Sequence, residues 1–359
     1  MELMIFDKNG KKVDVLQNYT SIQWHRYYAS TGSFEIHVNP TKTNVEYLQK
    51  GMRLVKQDTR DIGFISYSVG SESDGDSQEE DIEIRGYLDN LEDRINTKTC
   101  HFGTNIETDV NSCITSNKRG LDINLSTPKG IKADIDIEST WQPLRDTVKI
   151  VCDTAGLGYR MYADKYAGKD PNKLNLFELY QGQVRKVKFS DKLSNITFQS
   201  IERNYQNYKN VAYVCAQGQG VERTVVEVDL SNGGERYEMY VDSRNTSKDY
   251  VDEEGNSHTY TDTEYKKILY DEGLENLSQY TAIESFSITV DPLDPLFKFR
   301  EDYDLGDIVT VESVKYNIRN ELYRISGILE IDENGTESVQ IELTRYEDEL
   351  VQTKKGVIT

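Results

Sequence analysis

From Ser338 to Leu343 the chain alternates strictly, with Val339, Ile341 and Leu343 on one side and Ser338, Gln340 and Glu342 on the other. That is the period-two pattern of a half-buried strand. Two further β-rich runs precede it, Ile308 to Val311 and Tyr323 to Leu329. Gly306-Asp307 opens the first, and Asn334-Gly335, a strong two-residue hairpin signal, leads into the last. The pattern predicts a three-stranded meander. A similar order recurs near the other end of the chain. Gly51-Met52-Arg53-Leu54-Val55 answers the Gly306 run, and Gly63-Phe64-Ile65-Ser66-Tyr67 answers Arg324-Ile325-Ser326. After an acidic turn through Asp74-Gly75-Asp76, Asp81-Ile82-Glu83-Ile84 answers Gln340-Ile341-Glu342-Leu343. The match predicts related β-domains at the two ends; convergence of short hairpins is the alternative.

Read in order, Met1 to Phe6 and Lys11 to Leu16 are strands joined by Asp7-Lys8-Asn9-Gly10, followed by strands at Ser21 to Tyr28 and Gly32 to Val38 and a short helix from Asn44 to Lys50. After Leu88 the texture changes. Glu107 to Asn117 reads as helix, and Leu121 to Leu125 and Ile131 to Ile137 read as extended. A second helix has Pro143 in its first turn, Leu144, Val148, Val151 and Ala155 on one face, and Gly156 as its stop. Arg160 to Tyr162 and Leu174 to Tyr180 complete a small α+β unit. Strands return at Val184 to Phe189, Ile196 to Arg203, Val211 to Ala216 and Val221 to Leu230. Glu264 to Tyr280 is the longest helix candidate, with Gly273 as its weak point, and Ile283 to Val290 is a strand. The expected class is α+β, mainly β. Two barrel-like domains, 1–98 and 184–235 with 283–350, flank an α+β domain (99–183) and a helical insertion (236–282), with 351–359 as a tail.

A chain of 359 residues is long enough for two to four domains. With 62 acidic against 42 basic residues its net charge is −20, which disfavours stable nucleic-acid binding by the bulk surface. There is no run of the ~20 apolar residues that a membrane span needs, and no signal peptide at the N-terminus. Cys100, Cys113, Cys152 and Cys215 form no CxxC pair and are expected to be reduced, partly buried thiols. His25, His37, His101 and His258 are scattered, and nucleophile-elbow, phosphate-loop and zinc-protease motifs are missing. Gly218 and Gly220 lack a third glycine, and Asp74/Asp76 is one carboxylate pair among many. The Asp252 to Asn256 loop lacks EF-hand spacing. No catalytic, cofactor or metal residue is nominated, and no cofactor is expected.

Seven short stretches, in order, resemble the central hub proteins of phage tails, in particular the siphovirus-type hubs of Gram-positive hosts. They are Gly32-Ser33-Phe34-Glu35-Ile36, Gly63-Phe64-Ile65, Gly86-Tyr87-Leu88 through Leu91 to Arg94, and Val187-Lys188-Phe189-Ser190. Asn210-Val211-Ala212, the Arg236-Tyr237-Glu238 run with Val241-Asp242, and Tyr303-Asp304-Leu305-Gly306-Asp307-Ile308-Val309 complete the series. The resemblance implies a non-enzymatic homotrimer whose six similar domains form a ring between a six-fold tail tube and a three-fold tip. The implied partners are the tail tube or distal tail protein, the tape-measure protein and a spike or tip protein. The implied location is the virion tail, after synthesis in the host cytoplasm; an R-type bacteriocin particle would serve equally. Acidic residues are expected to line the lumen. A cell-wall hydrolase and a carbohydrate-binding receptor protein using Trp24, Trp141 and exposed tyrosines are the competing readings.

Overall fold

The computed structural model describes residues 1–71, 81–218, 220, 223–251, 255–278, 280, 283–291 and 294–346. Its described residues divide into two compact units, Met1–Ser200 with residues 286–346, and Ile201–Ser285. The fold is mainly β, as the alternation predicts.

The first unit opens with a block of seven strands: β1 (Leu3–Phe6), β2 (Lys12–Leu16), β3 (Tyr19–Tyr27), β4 (Ser33–Val38), β5 (Arg53–Lys56), β6 (Ile62–Ser71) and β7 (Asp81–Tyr87). They lie in the order β3-β4-β7-β6-β5-β1-β2, all antiparallel. Gly10, at φ +79°, closes the β1–β2 turn. Helix α1 (Lys42–Tyr47) starts where the Thr41 side chain caps Asn44 N, earlier than hydrophobic spacing alone suggested. Ile22, Trp24, Phe34, Ile36, Val38, Leu54, Ile65 and Ile84 fill the core of this block. The Asp74–Asp76 turn lies outside the described residues.

Next comes the α+β domain: β8 (Cys100–Phe102), α2 (Ile106–Asn117), β9 (Asn124–Leu125), β10 (Ile137–Ser139), α3 (Leu144–Ala155), β11 (Gly158–Tyr162) and β12 (Leu176–Tyr180). Pro143 precedes α3 as its cap, and Gly156 ends it at φ +64°. Within 131–137 only Ile137 is in a strand. The expectation of four reduced thiols fails here. β8 and α2 bring the Cα atoms of Cys100 and Cys113 to 5.5 Å, and their sulfurs form a disulfide; Cys152 and Cys215 remain free and buried. Linear spacing hid a pairing made by a strand folding against the next helix.

β13 (Val184–Ser190) and β14 (Phe198–Asn204) follow. The second unit holds β15 (Val211–Ala216), β16 (Val225–Asp229), β17 (Glu238–Ser243), β18 (Asp249–Val251), β19 (Ser257–Thr259) and α4 (Asp262–Ser278). β15 runs between antiparallel β16 and parallel β17. The segment expected to be a helical insertion therefore carries three strands as well as α4. Reciprocal bonds between Thr261 and Glu264 form a capping box that starts α4. Gly273 is a requirement of packing: a Cβ there would stand 2.6 Å from Val228 and 2.7 Å from Val214.

The chain re-enters the first unit along β20 (Ile283–Val290) and continues through β21 (Ile308–Ser313), β22 (Ile318–Glu333) and β23 (Thr336–Arg345). Asn334 and Gly335, both at positive φ, make the expected two-residue turn. The order β14-β20-β23-β22-β21 repeats β3-β4-β7-β6-β5 in the same chain sequence. The correspondence extends to details. Gly51 and Gly306 introduce β5 and β21 at φ +97° and +90°. Ser66 and Ser326 are each the extra residue of a bulge, and each donates its hydroxyl to the matching carbonyl of the next strand, Arg85 at 3.3 Å and Glu342 at 3.2 Å. These bulges set Ile84 opposite Ile341 in the comparison, two residues from the match drawn on sequence. Ser33-Phe34-Glu35-Ile36-His37-Val38 and Ser285-Phe286-Ser287-Ile288-Thr289-Val290 correspond as well, with Phe, Ile and Val buried in both. The repeat departs at its margin: β1 joins β5 antiparallel, whereas β13 joins β21 parallel. The two blocks form one sheet through antiparallel β3 and β22, with Tyr27 opposite Gly327 and Ser21 opposite Glu333.

Candidate functional site

The inward positions of β3 run Ile22, Trp24, Arg26, with Tyr28 following; on β22 they run Ile328, Glu330, Asp332. The alternation that buries apolar residues thus carries a cation and a carboxylate into the seam between the blocks. Arg26 lies 2.9 Å from Asp304, 3.6 Å from Glu330 and 3.7 Å from Asp61. Lys56, fully buried at the end of β5, donates to Asp58 at 2.7 Å and to Glu330 at 2.9 Å. Arg300 binds the same two carboxylates. Burial works against the ionised form of Asp58, but Lys56 and Arg300 outweigh it and bring its pKa down to about 2. Burial likewise opposes ionised Asp304 and is outweighed chiefly by Arg26, so its pKa falls. For Asp61 burial dominates, and its pKa rises despite Arg26 and Arg160.

Beside this network the Asp304-Leu305-Gly306-Asp307 turn ties three parts of the chain together. Asp307 accepts from Gln183 N at 2.9 Å and from the Arg185 guanidinium at 2.8 Å. Arg324 donates to the Gly306 carbonyl at 2.7 Å and lies 4.8 Å above the Tyr28 ring. The Tyr28 hydroxyl donates to Gly156 O and accepts from Gly182 N, both at 3.1 Å. Glycine is needed at 306, since φ is +90° and a Cβ would stand 2.4 Å from Tyr28.

A cleft of about 260 Å³ opens over these groups, with Arg160, Glu178 and Lys129 on its α+β side. Glu178 bonds Arg160 at 2.6 Å and Lys129 at 2.9 Å. Each named carboxylate thus faces a cation. Such an arrangement fixes the relative position of strands, because removing one partner strands a buried charge.

Sequence reasoning missed this site. Its signal was present as charge at inward positions of alternating strands, Arg26 after Trp24 and Glu330 after Ile328. The residues weighed on sequence lie elsewhere. Trp24 is core, stacked on Phe34 at 5.3 Å, while Trp141 is 72% exposed. His25, His37, His101 and His258 stand on β3, β4, β8 and β19. His37 sits 2.5 Å from Asp81 and 3.2 Å from Glu35, and these bonds outweigh burial and raise its pKa. Gly218 and Gly220 both have positive φ. Of the Asp252 to Asn256 loop, 252–254 lie outside the described residues. No helix among the described residues is long and apolar enough to cross a membrane.

No curated protein matches this sequence. Among solved structures the fold is similar to the 43 kDa tail protein of prophage MuSo2 from Shewanella oneidensis, at 13% identity and a TM-score of 0.58, covering 97% of this chain and 99% of that one. It is also similar to a tail protein from Neisseria meningitidis MC58, at 12% identity and a TM-score of 0.53, covering 95% of each. The family described as Siphovirus ReqiPepy6 Gp37-like protein matches residues 2–97 and 106–344. With nearly the whole chain inside that match, the protein belongs to the Siphovirus ReqiPepy6 Gp37-like family of tail proteins.

Proposed function

We propose that this chain is the structural hub of a phage tail tip, or of a tail-like particle, acting as a homotrimer. The observation that carries the reading is the tandem repeat of two β-blocks in one chain of a tail-protein family. A three-fold ring can meet a six-fold tube only if each subunit offers two near-equivalent surfaces, and two copies of one strand pattern supply them. In this reading the two blocks are the barrel-like domains of the ring, and the cleft network is the rigid joint between them. The protein does no chemistry of its own. Its partners are the tail tube or distal tail protein on one side, the spike or tip protein on the other, and the tape-measure protein in the lumen, where part of the acidic excess faces.

The solution mass of the full chain, alone and with its neighbouring tail proteins, tests this. A mass near three chains in either condition is expected; a monomer in both overturns it. A second reading, glycan binding, has one observation in its favour, the exposed Trp141. Glycan-array binding lost in Trp141→Ala would raise it.

A further inference from the structure

Trp141 stands at φ +56°, a left-handed conformation that a bulky side chain adopts only where its surroundings impose it. What imposes it is Asn96, which is fully buried. The Asn96 carbonyl accepts from Trp141 N at 2.8 Å, and its backbone N–H donates to Gln142 O at 2.9 Å. Its side chain accepts from Gln142 N at 2.6 Å and donates to Ser139 Oγ at 3.0 Å. Four bonds thus clamp a strained turn whose side chain buries little. The indole is 72% exposed and finds no hydrogen-bond or ring partner among the described residues. Packing does not account for a tryptophan here, since glycine or asparagine would take the same backbone with less strain. Ile95, also exposed, lies beside it in an antiparallel bridge to Pro143.

Cations gather around this knob without carboxylates to meet them. Arg119, itself left-handed at φ +37° in the turn that ends α2, donates to Ile95 O at 2.9 Å and to Thr97 Oγ1 at 3.2 Å. Arg94 donates to three carbonyls, Asp93 O at 2.7 Å, Lys118 O at 3.0 Å and Arg119 O at 3.4 Å. Lys118 donates to Ile123 O at 2.8 Å, and the exposed Lys98 side chain has no polar partner among the described residues. In a chain of net charge −20, a group of cations bonded only to carbonyls and a hydroxyl is a local reversal of sign.

We propose that Trp141 anchors a docking surface for a protein partner that offers an apolar pocket rimmed by carboxylates, with Ile95 extending the apolar contact and Arg119 and Lys98 meeting the rim. Exposure and charge together choose that occupant. A ring this exposed has no walls of its own, so it suits entry into another molecule's pocket better than enclosure of a small ligand. Cations without counter-charges select an acidic partner. Tryptophan and arginine are the residues that dominate interface energies, and the Asn96 clamp holds the ring in place before the partner arrives. This surface goes beyond the hub reading, which names neighbours and no point of contact, and takes from it only that the partner is one of the neighbouring tail proteins.

The test measures binding of the full chain to each neighbouring tail protein by biolayer interferometry, at low and at high salt. One of them should bind, and more weakly at high salt. Trp141→Asn should weaken that binding roughly 30-fold or more while the urea midpoint holds or rises, because asparagine relieves the left-handed backbone; a residue that served stability would lower the midpoint. Lys98→Glu should slow association and flatten the salt dependence. Undiminished binding by Trp141→Asn overturns the docking surface and leaves the hub reading standing. A loss with no salt dependence overturns the acidic partner. If Trp141→Asn instead abolishes glycan-array binding or self-association, the occupant is a glycan or a second copy and the proposal falls. An unaltered chain that binds none of its neighbours overturns both this surface and the hub.

Discussion

Arg26 occupies a position that alternation assigns to the core, and three carboxylates converge on its guanidinium. Truncating it leaves those charges buried with less compensation, and Arg26→Met is expected to cost about 3–5 kcal/mol in urea unfolding. Two glycines allow a controlled comparison across the repeat. Gly51→Ala meets open space and has only its backbone conformation to strain, whereas Gly306→Ala also meets Tyr28. Gly306→Ala should therefore lose the more stability, by about 1–3 kcal/mol over Gly51→Ala. Titration runs in opposite directions at two places. The pKa of Asp58 is held at about 2 in the folded chain against 3.8 unperturbed, so its contribution is present above 3.8 and is lost as pH falls toward 2. The pKa of His37 is raised from 6.5, so its contribution is full below 6.5 and is lost as pH rises through the folded value. Urea midpoints across pH should show both slopes, and His37→Gln should flatten only the alkaline one.

Among the elements, the strands with a clean period were the legible ones. Val339, Ile341 and Leu343 are buried as the alternation requires, and the match of Gly51 with Gly306 and of Ile65-Ser66 with Ile325-Ser326 holds residue for residue. The β7–β23 match slipped by two residues because a bulge adds a residue without leaving a mark in the hydrophobic pattern. The repeated string Ser-Phe-x-Ile-x-Val at 33–38 and 285–290 is hard to see in linear order, because in the second copy a folded unit separates β14 from β20. The ion network was illegible for a different reason: alternation sets Arg26 and Glu330 inward, but the groups that meet them are far apart in sequence, and nothing in the pattern says which charges pair. The disulfide was hidden in the same way. Reducing Cys100–Cys113 is expected to lower stability by about 2–3 kcal/mol, read as a shift in the urea midpoint with and without reductant.

At the scale of the whole molecule, the interruption of the second block has a counterpart that shows how it is tolerated. Between β3 and β4 the chain turns through residues 28–32, whereas between β14 and β20 it spans residues 205–282. The two hairpins hold the same place in the two blocks, so the strand ladder accepts either a tight turn or a folded body there. Replacing residues 205–282 with a short glycine-containing turn should leave a chain that folds with the first unit intact, read by circular dichroism and a single cooperative transition. Such a hairpin is a socket. What the chain carries there can be exchanged, enlarged or lost in descent as a cassette, while the strands that flank it keep their register.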